Sequence, residues 1–220
     1  MADVAVSCLI PGAGLGERLG LGPKAFLEVQ GRPLLCWMTE RALQVAEEVL
    51  VAVPSPLVEM AAEMLPKCRV IAGGATRQDS IALLARQARG EWLLVHDAAR
   101  PFASKALLQA VLETAQRTGC AGAFLDPEVP VARLRDGRVI EAYPRDEVGI
   151  FQSPQAFSRE NMRAMLACQP NAPGWHGQST IQLALLSGVP VHAVPGEKTN
   201  IKITTIEDWQ RACQQGNLLT

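Results

Sequence analysis

No stretch of this 220-residue chain stays apolar for anything near the roughly 18–20 residues that span a bilayer, and the N-terminus lacks a basic region followed by a hydrophobic run. No membrane segment or secretory signal is therefore expected, and the expected setting is the cytoplasm. An excess of one charge is also missing: 21 Lys and Arg stand against 22 Asp and Glu, with a pI near 6.3. Nonspecific nucleic-acid binding needs a basic surplus, so it is not expected, and any grip on phosphate must come from a few placed cations. Six cysteines (Cys8, Cys36, Cys68, Cys120, Cys168, Cys213) lie apart, with no CxxC and no nearby histidine pair. Neither a zinc site nor a disulfide framework is suggested, and buried reduced thiols are expected. What remains, 48% hydrophobic and 20% charged, is the balance of an ordinary globular protein, expected as one domain over residues 1–220.

Short β-like runs alternate with amphipathic helical patterns, which predicts an α/β fold: a Rossmann-like, mostly parallel sheet with helices on both faces. Expected strands are Val4 to Ile10, Val49 to Val53, Arg69 to Ala72, Trp92 to Val95, Cys120 to Leu125 and Pro190 to Val194. Between them helices are expected at Leu34 to Glu47, Leu57 to Leu65, after Arg77, and at Lys105 to Arg117. In the first of these Leu35, Met38, Ala42 and Val45 recur at helical spacing. Further helices are expected near Ser158 to Leu166, Ser179 to Ser187 and Ile206 to Gln214. Asp136-Gly137 between Val131–Leu134 and Val139–Tyr143 is a hairpin signal, a β-arm protruding from an α/β chain. Trp37, Trp92 and Trp209 fit core positions, His192 reads as a structural strand residue, and His176 reads as a solvent-exposed loop histidine, with contact to a substrate as the lesser reading.

The first strand runs into Pro11-Gly12-Ala13-Gly14-Leu15-Gly16-Glu17-Arg18, where glycines let backbone N–H groups approach a phosphate or a base. No Gly-Lys-Ser/Thr closes a Walker A loop, and Glu17 breaks the dinucleotide-binding spacing. A plain strand-to-helix turn is the other reading. Arg18 and Lys24 follow at once, placed to grip phosphates of the same nucleotide. His96-Asp97-Ala98-Ala99-Arg100-Pro101 directly follows an apolar strand, and open α/β sheets bind ligands at the carboxyl ends of their strands. Asp97 there suits Mg²⁺ and Arg100 suits an anion, or the two form a structural pair. An NAD(P)-dependent oxidoreductase is disfavoured, because no acid stands at a strand end some 20 residues beyond the glycines.

These blocks, together with Gly73-Gly74, Arg77-Gln78-Asp79-Ser80 and Asn200-Ile201-Lys202-Ile203-Thr204, closely resemble the 2-C-methyl-D-erythritol 4-phosphate cytidylyltransferase family of isoprenoid biosynthesis. The likeness runs through nearly the whole chain. It implies transfer of CMP from CTP to a polyol phosphate with Mg²⁺ as cofactor. It implies that Pro11, Gly12, Ala13, Gly14, Gly16, Gly74, Ser80 and Ala98 surround the nucleotide, that Arg18, Lys24 and Lys202 are catalytic, and that Asp97 holds metal. Arg100, Arg145 and Thr180 are implied in acceptor binding. The arm, about residues 128–148, is implied to form a homodimer and to carry Arg145 to the partner's site. An acceptor phosphate oxygen would attack the α-phosphorus in line, so positioning and charge dispersal suffice. Loss of Lys24 or Arg18 is expected to lower the rate on the order of 10²–10³-fold.

The acceptor side departs from the family pattern. Glu128-Val129-Pro130-Val131 stands where an Asp-Thr pair usually enters the arm, Gln178-Ser179-Thr180 where Thr-Asp-Asp/Glu is usual, and Thr199 where an acid precedes Asn-Ile-Lys. Three expectations follow: methylerythritol phosphate held by altered contacts, another polyol phosphate such as ribitol 5-phosphate, or a CTP-binding paralogue with reduced or lost catalysis.

Overall fold

The computed structural model describes residues 5–16, 20–168 and 179–219. A seven-stranded sheet takes the order β5-β4-β1-β6-β10-β7-β11. Its strands are β1 (Val6–Pro11), β4 (Glu48–Val53), β5 (Arg69–Ala72), β6 (Trp92–Val95), β7 (Cys120–Leu125), β10 (Ile150–Ser158) and β11 (His192–Pro195). Only β10 runs antiparallel to its neighbours, β6 and β7, while β1 pairs in parallel with β4 and β6. Two short strands, β2 (Glu28–Val29) and β3 (Arg32–Pro33), form a small ribbon, and the arm is the hairpin of β8 (Val131–Arg135) and β9 (Arg138–Tyr143).

Alternate strand residues serve opposite faces, as the two-residue period of a strand dictates. Cys8, Ile10, Val49, Val51, Val53 and Leu94 pack with Leu35, Met38, Leu108 and Val111, so α1 (Leu34–Ala42), α2 (Val58–Met64) and α4 (Lys105–Thr118) cover that side. Leu9, Leu50, Ala52, Leu93 and Val95 point the other way, onto Ile81, Leu84, Met162, Met165, Ile181 and Leu183. There lie α3 (Arg77–Gln87), α5 (Arg159–Cys168) and α6 (Thr180–Leu186). Each large aliphatic side chain withdrawn from water this way contributes about 1.5–3 kcal/mol. A third cluster, with Leu27, Val29, Phe102, Ile203 and Ala212, seats α7 (Ile206–Gln214).

The α/β architecture with helices on both faces is the one expected. Helix α1 ends five residues short of its expected end, at Ala42, because the chain turns there while Leu43, Val45 and Ala46 continue to pack on the same cluster. Strand β10 is absent from the sequence reading, since Pro154 lies inside it and proline within a run argues against a central strand. The ladder to β7 breaks between Phe151 and Gln155, where proline has no N–H to give. His192 is exposed at the start of β11, and Trp37, Trp92 and Trp209 are half-buried.

Candidate active site

From β1 the chain crosses to β4 on one side, and through α3 returns to β6 on the other. That reversal makes a crevice at the carboxyl ends of β1 and β6, the usual ligand site of an open α/β sheet. A cleft of about 170 Å³ occupies it, walled by Pro11 at the end of β1 and Gly12, Ala13 and Gly14 beyond it, by Asp97 and Ala98 after β6, and by Gly74, Ser80, Lys24 and Lys202. The Gly12 N–H donates to the Ala52 carbonyl at 2.7 Å, which pins the glycine loop to the end of β4. Across the cleft Gly73 packs so closely that a methyl group on it would overlap that of Ala13. Ser80, buried on α3, accepts from the Gly74 N–H at 3.1 Å and donates to the Thr76 carbonyl at 3.1 Å.

Gly16 is not on this wall. Its φ of +72° and the Gly22 carbonyl pressed against it admit no side chain, and the turn that it closes brings the chain back to Lys24. That lysine follows Pro23 on a single 3₁₀ turn, with Nζ 3.4 Å from the carbonyl oxygens of Ile203 and Thr204. Arg18, the other cation singled out in the sequence, lies outside the described residues, as do His176 and Gln178.

Asp97 lies at the centre. Its Oδ1 accepts from Arg77 Nε at 2.7 Å and lies 2.7 Å from Arg77 Nη2, and its Oδ2 pairs with Lys202 Nζ at 2.9 Å. Burial works to raise its pKa, but Arg77 and then Lys202 outweigh it and hold the carboxyl far below the ordinary carboxylate range. The Asp97 N–H donates to Ser153 Oγ at 3.0 Å, which fixes the loop after β6 against β10. Lys202 faces Asp97 because its own loop is tied on both sides: Ile203 N–H donates to the Ala99 carbonyl at 2.9 Å, and Asn200 Nδ2 donates to the Ser153 carbonyl at 2.8 Å. Arg100 is buried, with Nη1 donating to the Asn200 carbonyl at 2.6 Å.

Beyond Asp97 the cleft meets a larger pocket of about 600 Å³. Among the described residues Arg77, Arg100 and Lys202 stand on its wall against the single carboxylate of Asp97, beside Gln152, Ser153, Gln155, Ser179 and Gln182. Three cations against one anion suit a ligand carrying phosphate. Ser179, the N-cap of α6, accepts from the Gln182 N–H at 2.9 Å and lies on that wall. Thr180 is buried behind it, its Oγ1 accepting from Arg77 Nη1 at 3.1 Å. Arg145 stands apart from both pockets, at the foot of the arm, where its Nε donates to the Pro127 carbonyl at 2.7 Å. It faces a separate recess of about 510 Å³ with Asp126, Glu128 and Lys198.

Neither Arg77 nor Ser153 is assigned a role by the sequence. For Arg77 a signal existed: a cation in the first turn of a helix opposes the helix dipole, so it needs an anionic partner elsewhere. Magnesium fits the donors present only in one way. Among the described residues no group of three or more His, Cys, Asp or Glu could hold a metal, and Asp97 is the single carboxylate on the cleft wall. Mg²⁺ is commonly held by one or two carboxylates together with substrate phosphates and water, and while Asp97 Oδ1 meets two Arg77 nitrogens, Oδ2, paired with Lys202, has a second lone pair to offer.

Among the described residues no cysteine or histidine lines either pocket, while Arg77 and Lys202 stand on both walls, a lining that suits anionic substrates. With the nucleotide cleft at a Rossmann-like switch point, that defines the class as a nucleotidyltransferase. The family model for 2-C-methyl-D-erythritol 4-phosphate cytidylyltransferase matches residues 6–214. The enzyme of that name from Thermus thermophilus is 44% identical over 209 residues, covering 92% of this chain and 93% of that protein. The corresponding enzyme of Deinococcus radiodurans is 36% identical over 204 residues, covering 92% and 85%. Among solved structures, the 4-diphosphocytidyl-2C-methyl-D-erythritol synthase of Anaerococcus prevotii superposes with a TM-score of 0.84 at 26% identity, over 96% of this chain and 97% of that one. The chain belongs to the 2-C-methyl-D-erythritol 4-phosphate cytidylyltransferase family.

Proposed function

We infer that this chain transfers the cytidylyl group of CTP to 2-C-methyl-D-erythritol 4-phosphate and releases pyrophosphate. The observation that carries the assignment is the meeting of a glycine-walled nucleotide cleft with a cationic pocket at Asp97, Arg77 and Lys202. CTP lies with its base toward Gly74 and Ser80 and its phosphates toward Lys24. The acceptor lies in the larger pocket, where Arg100 and Lys202 meet its phosphate. A phosphate oxygen of the acceptor forms the new P–O bond at the α-phosphorus as the bond from that phosphorus to the bridging oxygen of the pyrophosphate breaks. Lys24 and Lys202 offset the charge that develops on the transferring group. Asp97 is the residue that would hold Mg²⁺, which when bound neutralises triphosphate charge.

Further parts of the reading concern the assembly and its setting. The chain acts as a homodimer through the β8–β9 arm, with Arg145 serving the partner's acceptor. The exposed apolar residues of the arm support this, among them Val129, Leu134 and Val139 at 65–67% exposure. A reducing cytoplasm suits its free cysteines, and no helix among the described residues is long and apolar enough to cross a membrane. The test is pyrophosphate release from CTP and Mg²⁺, offered methylerythritol phosphate, ribitol 5-phosphate or no acceptor. Turnover with the first alone is expected. Silence with methylerythritol phosphate, or a preference for ribitol 5-phosphate, would remove the assignment.

A further inference from the structure

Arg77 is the first residue of α3, and its backbone is set before its side chain is used. Thr76 caps the helix, its Oγ1 accepting from the Asp79 N–H at 3.1 Å while Asp79 Oδ2 accepts from the Thr76 N–H at 3.0 Å. From that fixed turn one guanidinium reaches two other elements. Nε and Nη2 both meet Asp97 Oδ1 in the loop after β6, and Nη1 donates to Thr180 Oγ1 in the first turn of α6. All three nitrogens are engaged, and the side chain stands on the walls of the nucleotide cleft and of the acceptor pocket alike.

The two cations on Asp97 are not equivalent. Lys202 holds Oδ2 from a side chain that is 39% exposed, whereas Arg77 holds Oδ1 from one that is 26% exposed. An ammonium on four methylenes can turn toward an arriving oxyanion. A guanidinium fastened at three nitrogens cannot do so without releasing both partners. When Lys202 turns to a substrate, Arg77 is what keeps the Asp97 carboxylate in its plane.

We propose that Arg77 is a positioning residue for the transfer reaction: by holding Asp97 through Oδ1 and α6 through Thr180, it keeps Asp97 Oδ2 and Lys202 aimed at the junction of the two pockets. The role rests on the cytidylyltransferase reading but concerns a residue that acts through others. Its loss misplaces Asp97 and the α6 cap that carries Ser179, so the acceptor is engaged off line. A misplacement of about 1 Å costs on the order of 10²-fold in rate.

The experiment compares the full-length protein with its Arg77→Ala, Arg77→Lys and Thr180→Val variants. For Arg77→Ala, kcat/KM for the acceptor is expected to fall on the order of 10²-fold, with far less change in KM for CTP. Arg77→Lys keeps a charge beside Asp97 but loses the fork, so it should be intermediate, and it serves if the alanine variant does not fold. Thr180→Val tests the α6 limb and should lower kcat/KM for the acceptor less than Arg77→Ala does. Guanidinium added to Arg77→Ala should restore kcat with saturation, which a role only in stability would not produce. Acceptor kinetics of Arg77→Ala and Arg77→Lys within threefold of the parent, or a lost rate that guanidinium leaves unchanged, would overturn the proposal. If the parent itself ignores methylerythritol phosphate, the functional reading fails, and a crystal structure of Arg77→Ala then decides the positioning role separately. An Asp97 carboxylate unmoved on Lys202 refutes it, and a rotated one supports it.

Discussion

His96 is fully buried beside the site, and its chemistry follows from that burial. Its Nε2 donates to the Arg100 carbonyl at 3.1 Å, and Nδ1 has no hydrogen-bond partner among the described residues. Burial, chiefly, pushes the imidazole pKa down from 6.5 to about 4. Below pH 6.5 the unfolded chain takes up a proton that the folded chain refuses until about pH 4. Stability contributed by the neutral ring is therefore complete above pH 6.5 and is lost as pH falls through that window, by about 2 kcal/mol at pH 5. Asp97 adds nothing there, because a lowered carboxyl costs stability only below its ordinary range, near 3.8. Urea denaturation at pH 7.5 and pH 5, in chelator, should show this drop in the parent and a smaller one in His96→Gln, which keeps a donor for the Arg100 carbonyl. Equal drops in the two proteins would mean that His96 is not the titrating group.

At the scale of elements, the nucleotide cleft depends on two loops that touch. The glycine loop after β1 and the turn before α3 meet at Ala13 and Gly73, and the Gly73 N–H also donates to the Val53 carbonyl at 2.8 Å. Gly73→Val forces the loops apart. Overpacking of this kind costs about 1–3 kcal/mol, and since the glycine loop yields more easily than the sheet, the strain should appear as weakened CTP binding, on the order of tenfold. Ala13→Gly in the same background removes the closer of two clashes, the other being with Ser80 Oγ, and should restore part of the affinity. Calorimetric titration with CTP checks both, and an unrestored double variant would place the damage elsewhere. These loops were legible because their signals are local: glycines directly after an apolar strand, and His96 to Pro101 directly after another. Strand β10 and Arg77 were not. The polar residues buried in β10 are partnered from far along the chain, Ser153 by Asp97 and Asn200, Gln152 by Glu197. Arg77 finds its anion 20 residues away and its hydroxyl partner 103 residues away. Only the folded sheet makes such groups neighbours.

For the molecule as a whole, the arm is tied to the body at its foot, by Glu128 to Lys198 and Arg145 to the Pro127 carbonyl. Among the described residues strands β8 and β9 pair with each other and join no other sheet, and Leu134, Val139 and Ile140 are exposed on them. A two-stranded hairpin is marginal alone, and apolar side chains left open in a group mark a contact surface. If that contact is a two-fold dimer, each complete site takes Lys24 from one subunit and Arg145 from the other. The subunits can then be made to complement each other. Lys24→Ala and Arg145→Ala proteins, each nearly inactive, should on mixing and exchange recover roughly a quarter of the parent activity, because half of the dimers are mixed and each mixed dimer has one intact site. Leu134→Lys with Val139→Lys should abolish that recovery and sediment as a monomer. Parent protein sedimenting as a monomer at micromolar concentration, or mixtures that stay inactive, would confine each site to one chain and leave Arg145 without a role in the acceptor pocket, since its own recess lies apart from Asp97 and Lys202.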